Sequence, residues 1–130
     1  MDLVTLWQHT RTIAVVGISA NPGRDSHRVA AFLQARGFRV LPVNPRYEQV
    51  LGEPCYPGLL ALPEPVDLVD VFRRPEHCPE IARQAVAIGA HCLWLQLGVV
   101  SHEARRIAEA AGIAYVEDRC TMIEWRRSRG

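Results

Sequence analysis

Apolar and polar positions along this chain fall into blocks that switch between two periods. Ile13 to Gly17 is a short, wholly apolar run ending on a glycine, which predicts a buried strand. A polar turn follows, and then Val29, Phe32 and Leu33 recur at i, i+3 and i+4, one face of a helix from about Ser26 to Arg36. Gly37 stops that helix, as a residue just past a helix end often does. Phe38 to Val43 reads as a second strand ending at Asn44-Pro45, and Val66 to Phe72 as a third. Between them, Arg46 to Pro65 is loop-rich and interrupted by prolines, with room for one short strand or helical turn. Glu76 to Ile88 predicts a helix burying Ile81, Ala82, Ala85 and Val86. Cys92 to Leu97 is the fourth strand, broken by Gly98. Ser101 caps a helix whose inward face is Ala104, Ile107, Ala108 and Ala111, and Ile113 to Glu117 is the fifth strand. A leading helix over Leu3 to His9, capped by Asp2, and a terminal one over Cys120 to Arg127 complete the pattern.

Strands alternating with helices predict an α/β fold: a doubly wound, Rossmann-like parallel sheet with helices on both faces. The expected order of the five strands is 3-2-1-4-5. Residues 1–130 are read as a single domain with no internal repeat. Ligands of such sheets bind beyond the carboxyl ends of the strands, here at the expected switch between the first and fourth. That rule selects Gly17 to Asp25, Asn44 to Tyr47, Phe72 to Pro75, Leu97 to Val100 and Asp118 to Cys120.

Composition narrows the chemistry. A formal charge of +1 argues against a nucleic-acid surface. No apolar run approaches a membrane span, and Met1-Asp2 lacks a charged leader, so a cytoplasmic location is expected. All 15 basic residues are arginine. Anions must therefore be held by guanidinium forks, backbone N–H groups or histidine, and lysine chemistry is excluded. Cys55, Cys78, Cys92 and Cys120 are too far apart for a metal or redox knuckle and are expected as free thiols. The histidines show no metal-ligand spacing.

Strand, glycine and helix in that order suit a phosphate at a helix N-terminus. Of the three glycines in the dinucleotide fingerprint only the first is present, as Gly17; Ser19 and Pro22 hold the other positions. Gly17, Ile18, Ser19, Ala20 and Asn21 are assigned to ligand binding, with Arg24 and Arg28 near the helix start. An NAD site wants a carboxylate after the second strand. Val43, Asn44, Pro45 and Arg46 stand there instead, which suits a phosphorylated ribose such as that of NADP or coenzyme A. Phe72, Arg73, Arg74 and Pro75 follow the third strand, Gln96, Leu97, Gly98 and Val99 the fourth, and Asp118 and Cys120 the fifth. No catalytic constellation stands out. Ser26 and His27 are adjacent, but neighbouring helix residues point in different directions. Cys120, beside Arg119 at a helix start, is the only plausible nucleophile, its alternative being a packed thiol.

Val16-Gly17-Ile18-Ser19, Pro42-Val43-Asn44-Pro45, Trp94 through Val99 and Asp118-Arg119-Cys120 together resemble the small stand-alone bacterial CoA-binding-domain proteins. These are similar to the N-terminal domain of the succinyl-CoA synthetase α subunit. The resemblance spans about Ile13 to Arg127. It implies that Gly17, Ser19, Ala20 and Asn21 meet the CoA phosphates and that Arg46 takes the place of a synthetase lysine. It also implies contacts from Phe72 through Pro75 and from Gln96 through Val99. The synthetase's catalytic histidine lies in a second domain, so the resemblance carries binding and not catalysis. The expectation is a non-catalytic module for CoA or an acyl-CoA, without nucleic-acid, membrane or metal partners. An NADP-dependent oxidoreductase or nucleotide-sugar enzyme, a redox or acyl-carrier protein using Cys120, and a regulatory subunit remain open alternatives.

Overall fold

The computed structural model describes residues 2–129. In chain order its elements are α1 (Leu3–Gln8), β1 (Thr12–Val16), α2 (Asp25–Ala35), β2 (Arg39–Val43), β3 (Gln49–Val50), β4 (Glu53–Pro54), β5 (Leu68–Val71), α3 (Cys78–Ala87), β6 (Cys92–Leu95), α4 (His102–Ala110), β7 (Ala114–Val116) and α5 (Thr121–Arg129). Asp2 caps α1 by accepting from the Thr5 N–H, and Ser101 caps α4 through the Ala104 N–H. The proline-rich stretch holds the small β3–β4 hairpin and a single 3-10 turn, Leu59–Ala61.

The expected α/β architecture is present. Five parallel strands form one sheet, and their apolar side chains alternate between two cores. Ala14, Val16, Val69, Val71, Leu93 and Leu95 face α3 and α4. Ile13, Val15, Leu68, Cys92 and Trp94 face α1, α2 and α5. Burying each such large side chain contributes about 1.5–3 kcal/mol. The inward faces of two helices are narrower than the periodicity suggests: Val86 and Ile107 are half-buried and Ala111 is exposed.

The strand order differs from expectation. It is β2-β1-β5-β6-β7, so the third long strand pairs with β1 on the side away from β2. In the terms used above, 3-2-1-4-5 is corrected to 2-1-3-4-5, the other common doubly wound order. Pro42 gives the physical reason. Its carbonyl accepts from the Tyr56 N–H, away from β1, so its missing N–H lies on the outer side of β2. A strand carrying proline belongs at an edge. Tyr56 then covers that edge, bridging Val43 and accepting from the Asn44 N–H. β5, fully buried along its length, takes a central place instead. The switch point therefore lies between β1 and β5 rather than between the first and fourth strands.

Candidate functional site

Two adjoining clefts of about 590 and 880 Å³ open at the carboxyl ends of β1, β2 and β5. Gly17, Arg24, Asn44, Arg46 and Phe72 line both. Gly17 is the hinge of the arrangement. Its φ is +85°, and a Cβ there would lie 2.4 Å from the Phe72 carbonyl oxygen. The close approach follows from the crossover: the Phe72 N–H donates to the Val16 carbonyl at 2.8 Å, while the Gly17 N–H donates to Val43 at 2.9 Å.

The turn after Gly17 is held by its own polar groups. The Ser19 N–H donates to Ser26 Oγ at 2.9 Å, the Asn21 N–H to Ser19 Oγ at 3.0 Å, and the Gly23 N–H to Asn21 Oδ1 at 2.9 Å. His27 Nδ1 lies 2.9 Å from the Ser19 carbonyl oxygen, to which it donates. Asn44 ties β2 to this turn: Nδ2 donates to the Ile18 carbonyl at 2.8 Å, and Oδ1 accepts from the Arg46 N–H at 2.9 Å. The amides of Gly17, Ser19, Asn21 and Gly23 are thus engaged within the protein. Arg24, at the N-cap of α2, makes no side-chain hydrogen bond to the first turn. The first-turn amides of α2 therefore lack a side-chain cap from Arg24, and the helix dipole favours negative charge at that end.

Arginine sets the electrostatics. Arg24, Arg46, Arg73 and Arg74 line the clefts, and among the described residues none is paired with a carboxylate. The one acidic lining residue, Asp25, is paired with Arg28. No carboxylate ends β2, where Asn44 is committed to the turn. Guanidiniums so placed favour negative charge, and the acidic clamp of a bare ribose is absent from the end of β2.

The sequence model of a CoA binding domain matches residues 11–126. The chain belongs to this family. It is 34% identical to the uncharacterized protein YneT of Bacillus subtilis over 122 residues, 94% of this chain and 90% of that protein. It is 28% identical to the ADP-forming acetate–CoA ligase I of Archaeoglobus fulgidus, over 86% of this chain but only 18% of the ligase. A solved structure of a hypothetical protein from Pyrococcus horikoshii OT3 superimposes with a TM-score of 0.94 at 39% identity, covering 97% of this chain and 89% of that one.

Within this CoA-binding domain the clefts gather Gly17, Ile18, Ser19, Arg24, Asn44, Pro45, Arg46, Phe72, Arg73, Arg74, Pro75 and Val99. The other residues assigned from sequence lie outside the cleft linings. Ala20 and Asn21 are exposed, and Arg28 is turned to Asp25. Val43 lines a separate groove beside α3. Gln96 is buried, its Nε2 donating to Asp70 at 2.5 Å and to Thr121 at 2.9 Å. Asp118 accepts from the Gly98 N–H at 2.7 Å, joining two loops, while Leu97 is exposed beside them. Cys120 is half-buried in the core packed by α5.

Gly23, Asp25, Ser26, Tyr47 and His77 complete the linings and were not assigned from sequence. Gly23, Asp25 and Tyr47 fall inside the segments chosen by the strand-end rule, which was their only signal. Burial pushes the Cys78 thiol, just behind the Pro75–His77 turn, up to about 11. Among the described residues no three His, Cys, Asp or Glu side chains converge as a metal-binding group, and no helix is long and apolar enough to cross a membrane.

Proposed function

We propose that this chain binds coenzyme A, or an acyl-CoA, at the carboxyl ends of β1, β2 and β5 and performs no chemistry of its own. Family membership supports a CoA-related binding role. The observation that carries the finer reading is the set of four unpaired guanidiniums around clefts that meet at Gly17. The pyrophosphate is assigned to the opening amides of α2 with Arg24, and the ribose phosphate to Arg46. Arg73 and Arg74 supply further positive charge on the β5 side. His27 Nδ1 and Ser26 Oγ are used locally, the first on the Ser19 carbonyl and the second on the Ser19 N–H.

Thermal melts with CoA, 3′-dephospho-CoA, acetyl-CoA, NAD and NADP test the reading. A ligand at about 100 times its Kd adds about 2.7 kcal/mol, enough to raise the Tm by several degrees. Stabilisation by CoA and acetyl-CoA, weaker without the 3′-phosphate and absent with NAD, is the expected pattern. Stabilisation by NADP with none by CoA would overturn it.

A further inference from the structure

We propose that the loop after β6 selects an acyl-CoA with an apolar acyl group over free coenzyme A, by covering that group with Leu97 and Val100. This rests on the CoA reading above and concerns the far end of the same ligand. The row of strand ends gives the direction. The sheet runs β2-β1-β5-β6-β7. Arg46 follows β2, the opening of α2 follows β1, Arg73 and Arg74 follow β5, and Val99 follows β6. A coenzyme with its ribose phosphate at Arg46 and its pyrophosphate at α2 has placed all its charge at the first two strands. Its uncharged arm and thiol then pass over β5 toward β6, the way the second cleft extends, from Gly17 and Asn44 to Val99.

The surface at that end is apolar. Leu97 and Val100 are 65% and 50% exposed, and they flank Val99, which lines the cleft. A single exposed leucine such as Leu60 is ordinary. Two large apolar side chains on one loop beside a cleft mark a contact surface. The loop is not slack. Gly98 and Asp118 both take left-handed backbone, at φ +86° and +55°, a conformation uncommon for a residue other than glycine. The Asp118 carboxylate accepts the Gly98 N–H at 2.7 Å, the Val99 carbonyl accepts the Asp118 N–H at 3.2 Å, and the Val99 N–H donates to the Gln96 carbonyl at 2.9 Å. Gln96 itself is buried and held by Asp70 and Thr121. Leu97 and Val100 are thus fixed outside the core. An apolar acyl chain laid over them removes both surfaces from water, whereas a free thiol has no such surface to offer. A carboxylate on the acyl group finds no vacant cation on the next loop, because Arg119 is paired with Glu124 at 3.6 Å.

Calorimetric titrations with CoA, acetyl-CoA, butyryl-CoA, hexanoyl-CoA and succinyl-CoA test this. In the wild type the Kd should fall as the acyl chain lengthens, with hexanoyl-CoA about tenfold tighter than acetyl-CoA. Succinyl-CoA should bind more weakly than butyryl-CoA, whose chain has the same number of carbons. Leu97→Ser combined with Val100→Ser should bring the ratio of hexanoyl-CoA to acetyl-CoA affinity to about one, with an unchanged circular dichroism spectrum. Leu60→Ser, at an exposed leucine on another loop, should keep the wild-type ratio. In the wild type, the methyl resonances of Leu97 and Val100 should shift more with hexanoyl-CoA than with CoA, a readout that needs no variant. Equal Kd values for CoA, acetyl-CoA and hexanoyl-CoA would overturn the acyl selection and leave the CoA reading standing. Failure of every one of these ligands to bind would overturn both. A chain-length gradient that survives in the Leu97 and Val100 variant, or succinyl-CoA binding as tightly as hexanoyl-CoA, would overturn the role given to this loop.

Discussion

Replacing Gly17 with alanine isolates the close approach on which the clefts depend. Two penalties apply. At a φ of +85° an L side chain is in the left-handed region, which costs roughly 1–2 kcal/mol. The new Cβ would also sit 2.4 Å from the Phe72 carbonyl oxygen and 2.8 Å from Arg73 Cδ. The arginine stem can swing aside. The Phe72 oxygen belongs to a peptide held by the Phe72 N–H bond to Val16, so relief means parting the ends of β1 and β5. Such overpacking costs about 1–3 kcal/mol, and weakening a ladder hydrogen bond about 0.5–1.5. The expected total is about 2.5–6.5 kcal/mol. Gly89 provides a matched control: its φ is +76°, and nothing lies within 4 Å of its added Cβ. Gly89→Ala should therefore lose only the conformational part, about 1–2 kcal/mol. Urea unfolding at constant m measures both. If the two variants lose equal stability, the Gly17–Phe72 contact contributes nothing and the argument from close approach fails.

Arg46→Gln combined with Arg73→Gln should weaken CoA binding at least about tenfold and flatten its dependence on salt, read by calorimetry at two ionic strengths. Burial pushes the Asp70 carboxyl from 3.8 up to about 7, so the folded chain keeps a proton that the unfolded chain has released. Wild-type stability should therefore fall as pH rises from about 4 through 7, and Asp70→Asn should remove that slope in urea midpoints measured across the range. Burial raises Cys78 to about 11 and Cys92 to about 12. Iodoacetamide at mildly alkaline pH should spare these two thiols in the folded protein and label all four cysteines in denaturant, as mass spectrometry would report.

Element types were legible because their periods are unambiguous: apolar runs ending on Gly17 and Gly98 are strands, and the Val29–Phe32–Leu33 face is a helix. The order of the strands was also written in the chain, at Pro42. A proline in the second strand marks an edge, which leaves the third strand no place beside it. Strand alternation alone does not carry that constraint. The β3–β4 hairpin was beyond reach for a different reason. Its two-residue strands carry no period, and β4 ends on Pro54.

The site was legible by segment more than by side chain. Strand-end geometry selects the loops after β1, β2 and β5 that line the clefts, but a polar residue in such a loop has two uses, to meet a ligand or to hold the loop. Asn44, Gln96 and Asp118 look alike in sequence as polar groups at strand ends. All three use their side chains inward: Asn44 on the Ile18 carbonyl and the Arg46 amide, Gln96 on Asp70 and Thr121, Asp118 on the Gly98 amide. Energetics favours this division. A short amide or carboxylate fixed to neighbouring backbone orders a loop at small entropic cost, whereas the long guanidiniums of Arg24, Arg46 and Arg74 stay exposed. In the proposed function, rigidity comes from the short polar groups and affinity from the arginines. Substituting the first kind should lower stability and binding together, while substituting the second should lower binding alone.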